Sequence, residues 1–204
     1  MKRYLLTLSL CLSHASLLAQ DVPASDRKVA FLIGAAFTSG GSTLATATFT
    51  DGSTADVKAG SLFLFKLGAD WRINPKVSLQ GTVGLHTDSI NAKNGELKFT
   101  RNFVEGLAFW NTTPTQRLGF GLRQTSDAKL TSGGAAASVG NYDFSSTLGT
   151  VLEYEWRFSQ KISGLGISVR YVAEKYTPTK FNGQPFNGRD VDGSHLGVGM
   201  SYYF

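Results

Sequence analysis

The chain carries one cysteine in 204 residues, Cys11. It sits in an amino-terminal stretch that opens on Lys2-Arg3, runs mostly apolar from Tyr4 to Leu18 and ends on the small Ala19. That layout predicts a cleaved export signal over residues 1–19, which takes no part in the fold. Leu10 is too bulky, one position before Cys11, for a lipid-attachment box. Without its leader the chain has no thiol, so a disulfide framework is excluded. It also lacks any apolar run of about 18 residues beyond the leader, which excludes a transmembrane helix. Charge of one sign is scarce too. Setting aside Lys2 and Arg3 leaves eighteen basic against fifteen acidic residues, a formal +3 that is too mild and too evenly spread for nucleic acid. Segments of helical period are hard to find.

What is present is alternation of period two, the signature of strands. The chain closes on "HLGVGMSYYF", where Leu196, Val198, Met200, Tyr202 and Phe204 share one parity and small or polar residues hold the other. Upstream, the same split places Val29, Phe31, Ile33, Ala35 and Phe37 on one face. It does so again for Phe63 through Ile73, Val77 through Leu85, Leu118 through Leu122 and Leu165 through Tyr171. In the sixth run the apolar face reads Tyr142, Phe144, Leu148, Leu152, Tyr154, Trp156 and Phe158. Most runs reach the roughly 9–11 residues that cross a bilayer at a tilt. The fourth is the misfit: Phe103, Leu107 and Phe109 share a face with Glu105, while Val104, Ala108 and Trp110 hold the other. Turning Glu105 inward is required, since an unpaired charge in hydrocarbon is costly, but it leaves aromatics pointing into the interior. A bulge would rescue either register.

Short connections alternate with long ones. "INPK" (73–76), "NTTPTQ" (111–116) and "SQKISG" (159–164) are short. The long ones centre on residues 50–54, 91–95, 131–141 and 177–193 and are rich in Gly, Asn, Asp, Ser and Pro. The wiring predicts an all-β chain folded as an eight-stranded antiparallel up-and-down transmembrane barrel over residues 28–204, after a short periplasmic segment at 20–27. Each of the three tryptophans, Trp71, Trp110 and Trp156, lies a few residues before a short turn, and Tyr202 and Phe204 hold the matching place in the last strand. Amphipathic rings prefer the headgroup boundary, so these five form one expected periplasmic aromatic girdle.

The terminal alternation ending in phenylalanine, together with the strand wiring, resembles the small bacterial outer-membrane barrels of the outer membrane protein A, X and W and opacity-protein group. The resemblance implies a Gram-negative outer-membrane location, tight periplasmic turns, longer extracellular loops and a carboxy-terminal strand read by the assembly machinery. No residue motif singles out one member.

The opposite parity carries the charges: Lys66, Asp70, Arg72, Glu105, Arg117, Arg123, Glu153, Glu155, Arg157, Arg170 and Glu174. Eight strands leave an interior just wide enough for side chains to fill, so these groups are expected to pair as a polar plug. No cofactor, catalytic set or metal site is expected. His86 with Asp88 and Ser89, and Ser194-His195, offer a histidine near hydroxyl and carboxylate, as some lipid A-modifying barrels require. The third and eighth strands are not neighbours, however, so both read as polar residues where a strand meets water. "NGRDVDG" (187–193) lacks full calcium-ligand spacing. The expected role is non-enzymatic: a monomer with a structural or surface-interaction function. Its loops at 131–141 and 177–193 would meet lipopolysaccharide or other surface partners, with Lys175, Lys180 and Arg189 near lipid phosphates. A lipid A deacylase or acyltransferase and a narrow solute pore are the alternatives.

Overall fold

The computed structural model describes residues 28–48, 53–92, 95–158 and 164–204; the expected leader (1–19), the segment 20–27 and most of the turn at 159–164 lie outside the described residues. Eight strands build the wall: β1 (Val29–Gly40), β2 (Leu62–Asn74), β3 (Val77–Ala92), β4 (Gly95–Asn111), β5 (Gln116–Gly134), β6 (Thr147–Arg157), β7 (Gly164–Ala173) and β8 (His195–Tyr203). Each pairs antiparallel with its neighbours in sequence, and β1 pairs with β8, which closes the cylinder. Closure runs to the last residue. Phe204 and Phe31 exchange backbone hydrogen bonds in both directions, at 2.9 and 3.1 Å. Among the described residues no helix is long and apolar enough to cross a membrane.

Burial alternates as the sequence pattern requires, but with the greasy side outward. Phe31, Ile33, Phe37, Phe65, Leu67, Phe120, Leu148, Val169 and Val198 all point away from the barrel, as do their neighbours of the same parity. A water-soluble sheet would bury such residues; a wall of them is a lipid-facing surface. Trp71, Trp110, Trp156, Tyr202 and Phe204 are all outward and lie at the end that carries the tight turns and the carboxy-terminus. The turn after β2 is fixed by Asn74, whose Oδ1 accepts from the backbone N–H groups of Lys76 (2.8 Å) and Val77 (2.9 Å).

Tight closure needs bare backbone at a few inward positions. A Cβ on Gly121 would lie 1.9 Å from the carbonyl oxygen of Gly106, and one on Gly68 would lie 2.0 Å from that of Gly81. Glycine lets neighbouring strands curve this sharply without a clash.

Beyond the lipid-facing belt, β3, β4 and β5 continue as long hairpins into an outer layer. The hairpin of Thr43–Thr48 and Thr54–Lys58 leans over them, and short strands at Tyr142–Phe144, Pro178–Phe181 and Gln184–Pro185 extend the sheet from β5. Asn182-Gly183 forms the two-residue hairpin turn, both residues with positive φ (48° and 80°) as that turn type demands. Here Tyr142 and Phe144 depart from expectation. They leave the lipid-facing row of the sixth strand, and Phe144 turns into an apolar core with Val57, Leu97, Phe99, Leu130 and Tyr176. Phe99 meets Phe144 and Tyr176 edge-on at 5.5 and 5.7 Å. The switch falls at the break between Tyr142–Phe144 and β6, at Ser145-Ser146, across from a bulge in β5. Asp127 adopts φ 52°, the pairing with β4 shifts between Thr100 and Asn102, and the inward parity passes from Thr125 to Ala128 and Leu130.

Candidate functional site

Charged side chains concentrate in the lumen. In the fourth strand Phe103, Glu105, Leu107 and Phe109 do face inward, and the inward aromatics have a purpose. The Arg117 guanidinium lies 3.8 Å over the Phe109 ring and that of Arg123 lies 4.1 Å over Phe103. Cation–π contact lets a desolvated arginine rest on an aromatic face.

The ion pairs fall into tiers along the axis. At the tight-turn end Arg117 donates to Asp70 (2.6 Å), Glu155 (3.2 Å), Gln80 (3.0 Å) and the Tyr203 hydroxyl (2.7 Å), and Arg157 donates to Glu155 at 3.1 Å. In the middle tier Glu105 accepts from Arg170 at 2.5 Å and from Arg123 at 3.4 Å, while Lys66 reaches Glu153 at 3.3 Å. These are chords across the cylinder: β2 to β6 for Lys66–Glu153, β4 to β7 for Glu105–Arg170. Higher still, Glu174 accepts from Thr125 (2.8 Å) and Tyr176 (2.6 Å) and lies 3.5 Å from Arg123 Nε. All the expected inward charges are fully buried except Arg72, which is half-buried at the tight-turn mouth.

Three residues of this site escape sequence reasoning. Arg101 is completely buried, and His86 and His195, expected at the water boundary, are buried as well. Their rings meet at 4.9 Å although β1 and β2 separate their strands. In so narrow a cylinder, side chains from strands three apart touch across the axis. His86 Nε2 lies 2.7 Å from Thr38 Oγ1, and its Nδ1 accepts from Arg101 at 2.6 Å. His195 Nδ1 donates to the Gly193 carbonyl at 2.8 Å, with Glu174 farther off at 3.8 Å. A histidine base needs a carboxylate behind it; His86 has a guanidinium there instead. Asp88 points elsewhere, accepting from the Lys58 backbone N–H at 2.8 Å.

The loop end has its own order. Asn141 and Asn182 link the 131–141 and 177–193 connections through backbone and side-chain bonds at 2.8 and 2.9 Å. Tyr142, Phe181 and Phe186 cluster at the tip, with centroids 4.8–6.2 Å apart. In the 187–193 segment, Asp190 accepts from Thr177 (2.7 Å) and Asp192 from the Ser194 N–H (3.0 Å). The Ser194 hydroxyl and backbone N–H together hold the Asp192 carboxyl below the usual carboxylate range. Among the described residues no three potential metal ligands converge.

No protein-family model matches the chain, and no curated protein sequence matches it significantly. Solved structures match in fold. Ail, the attachment invasion locus protein of Yersinia pestis, solved with the heparin analogue sucrose octasulfate, superposes with a TM-score of 0.51 at 14% identity, over 86% of this chain and 97% of Ail. Neisserial surface protein A gives 0.47 at 14% identity over 87% and 98%, and OprG of Pseudomonas aeruginosa gives 0.46 at 14% over 87% and 96%. With its closed eight-stranded meander and outward apolar belt, the chain has the fold of the small outer-membrane β-barrels.

Proposed function

We propose that the protein is a non-enzymatic, non-conducting surface barrel whose extracellular layer is its working part. One observation carries this reading: the outer apolar core around Phe99, Phe144 and Tyr176, which holds the loops in one shape above a lumen crossed by ion pairs. Loops that served only to connect strands would need no core of their own, whereas a recognition surface gains affinity from being pre-organised. The interlocked 131–141 and 177–193 connections, with their aromatic tip, are the face it presents. Lipopolysaccharide is the neighbour proposed for it, since Lys175, Lys180 and Arg189 are exposed there. The terminal strand, stitched to β1 through Phe204, is the segment the assembly machinery would read, and a monomer is the form proposed.

A lipid A-modifying activity is disfavoured because both histidines face the lumen rather than the outer wall. A solute pore is disfavoured by the chords, which leave each tier occupied from side to side. The test is planar-bilayer recording with the refolded chain. No stepwise conductance is expected in molar salt, and steady openings would refute the plugged reading. In parallel, purified lipopolysaccharide should bind the wild-type chain better than a Phe181→Ser, Phe186→Ser variant; equal binding would remove the aromatic tip from the proposal.

A further inference from the structure

We propose that the periplasmic mouth of the barrel binds a small free oxyanion, of the phosphate or carboxylate class, between Arg72 and Arg157. A cavity of about 300 Å³ opens there, walled by Arg72, Arg117 and Arg157 and rimmed by Pro75 and the Asn111–Gln116 turn. Three guanidiniums thus meet two carboxylates, Asp70 and Glu155, and of the four carboxylate oxygens Asp70 Oδ2 alone has no hydrogen-bond partner among the described residues. Asp70 Oδ1 takes Arg117 at 2.6 Å; Glu155 Oε1 takes Arg117 and Arg157, and its Oε2 takes Arg117 and the Tyr203 hydroxyl.

What remains is cationic. Arg157 is more than nine-tenths buried, yet its Nη2 has no hydrogen-bond partner among the described residues, and the nearest carboxylate oxygen, Asp70 Oδ2, lies at 3.8 Å. Its plane is held by Tyr203, whose ring lies 3.9 Å away, and by its Nε bond to Glu155. The free edge is therefore pre-aimed. Arg72, from β2 on another side of the mouth, pairs with no carboxylate within 4 Å among the described residues, and it lines the same cavity. A guanidinium presents donors in a planar fork that matches an oxygen-bearing anion, and two forks with one unmet charge specify an anion rather than a cation or neutral solute. The cavity lies inside the strand wall and behind the 111–116 turn, away from the lipid-facing belt, so the anion comes from solution and not from a lipid headgroup.

Inorganic phosphate is the probe. It is titrated by calorimetry into the refolded full chain in a neutral detergent, with chloride balancing ionic strength. Saturable one-to-one binding is expected. Arg72→Gln, which breaks no ion pair, should weaken it at least about tenfold, while Lys98→Gln at the opposite end leaves it unchanged. Gel mobility without heating confirms that each variant is a closed barrel. Heat no different from that of chloride, or equal affinity in Arg72→Gln, would overturn the proposal. So would an effect seen only in nanodiscs of anionic lipid, which would assign the charge to a headgroup.

Discussion

Glu105 is the point at which the plugged lumen can be tested hardest. It is fully buried, and it accepts from Arg170 (2.5 Å), Arg123 (3.4 Å) and Thr82 (3.3 Å). Changing Glu105→Gln keeps the shape and deletes the charge. Lys66, Arg123 and Arg170 would then share Glu153 and Glu174, at 3.3, 3.5 and 3.8 Å. Removing one partner from a buried ionic group costs about 3–5 kcal/mol, because a desolvated charge is left behind. Both arginines keep a second carboxylate and the amide can still accept a bond, so the lower figure applies. At about 1.4 kcal/mol per decade, the folded-to-unfolded ratio should drop roughly a hundredfold. The assay is equilibrium urea unfolding of the refolded barrel, read by tryptophan fluorescence and by the unheated gel shift. A double variant, Glu105→Gln with Arg170→Met, should recover part of the loss, since the arginine it strands is then gone. A cost of about 1 kcal/mol or less, the range of exposed pairs, would mean that water screens these charges. The chords would then not seal the lumen, and the non-conducting reading would fail with them.

Leu152 sits midway between Trp156 and Leu148 on the lipid face, so Leu152→Arg should destabilise the barrel in lipid by about 2–4 kcal/mol, whereas Trp156→Arg near the boundary should cost about 1 kcal/mol or less from charge burial alone. Equal costs in urea titrations would misplace the bilayer. Gly121→Val would drive a Cβ into the β4 backbone, so the heat-modifiable band should be lost; a normal gel shift would show that the strands are not packed that closely. Phe144→Ala empties part of the outer core at a cost of about 3–5 kcal/mol to that layer. Added protease should then cut the 131–141 connection in intact cells while leaving the wall whole, and resistance equal to wild type would dissolve the argument for a pre-organised face.

The wall was legible because lipid reads one residue at a time. Nearly every outward side chain is apolar whatever its neighbours do, so period two from Val29 to Phe37 or from Leu196 to Phe204 states its own direction. The misfit at Phe103–Phe109 could be resolved for the same reason, as Glu105 has only one tolerable side. The outer layer was less legible. Phe144 keeps the parity of Leu148 and Leu152, and only the break at Ser145-Ser146, across from the Asp127 bulge, turns it away from the lipid-facing row. No rule of alternation survives an inserted residue.

The site was legible as a list and not as a map. Sequence parity puts Lys66 and Glu153 indoors; it says nothing of their meeting, which spans 87 residues and half the barrel's circumference. His86 and His195 were set aside because their strands do not adjoin, a criterion that holds for sheet neighbours and fails in a cylinder narrow enough for rings to touch at 4.9 Å. Arg101 was missed because parity alone does not distinguish a lumen arginine from one in the outer layer, where β4 continues past the bilayer. The same geometry explains why inward aromatics accompany inward charges. Seven buried or half-buried cations in a lumen with fewer carboxylates need some other partner, and Phe103, Phe109 and Tyr203 supply ring faces to three of them. An aromatic on the inner parity of a small barrel is thus a cue to look for an arginine across the axis, and Arg72 is a cation with neither ring contact nor ion pair among the described residues.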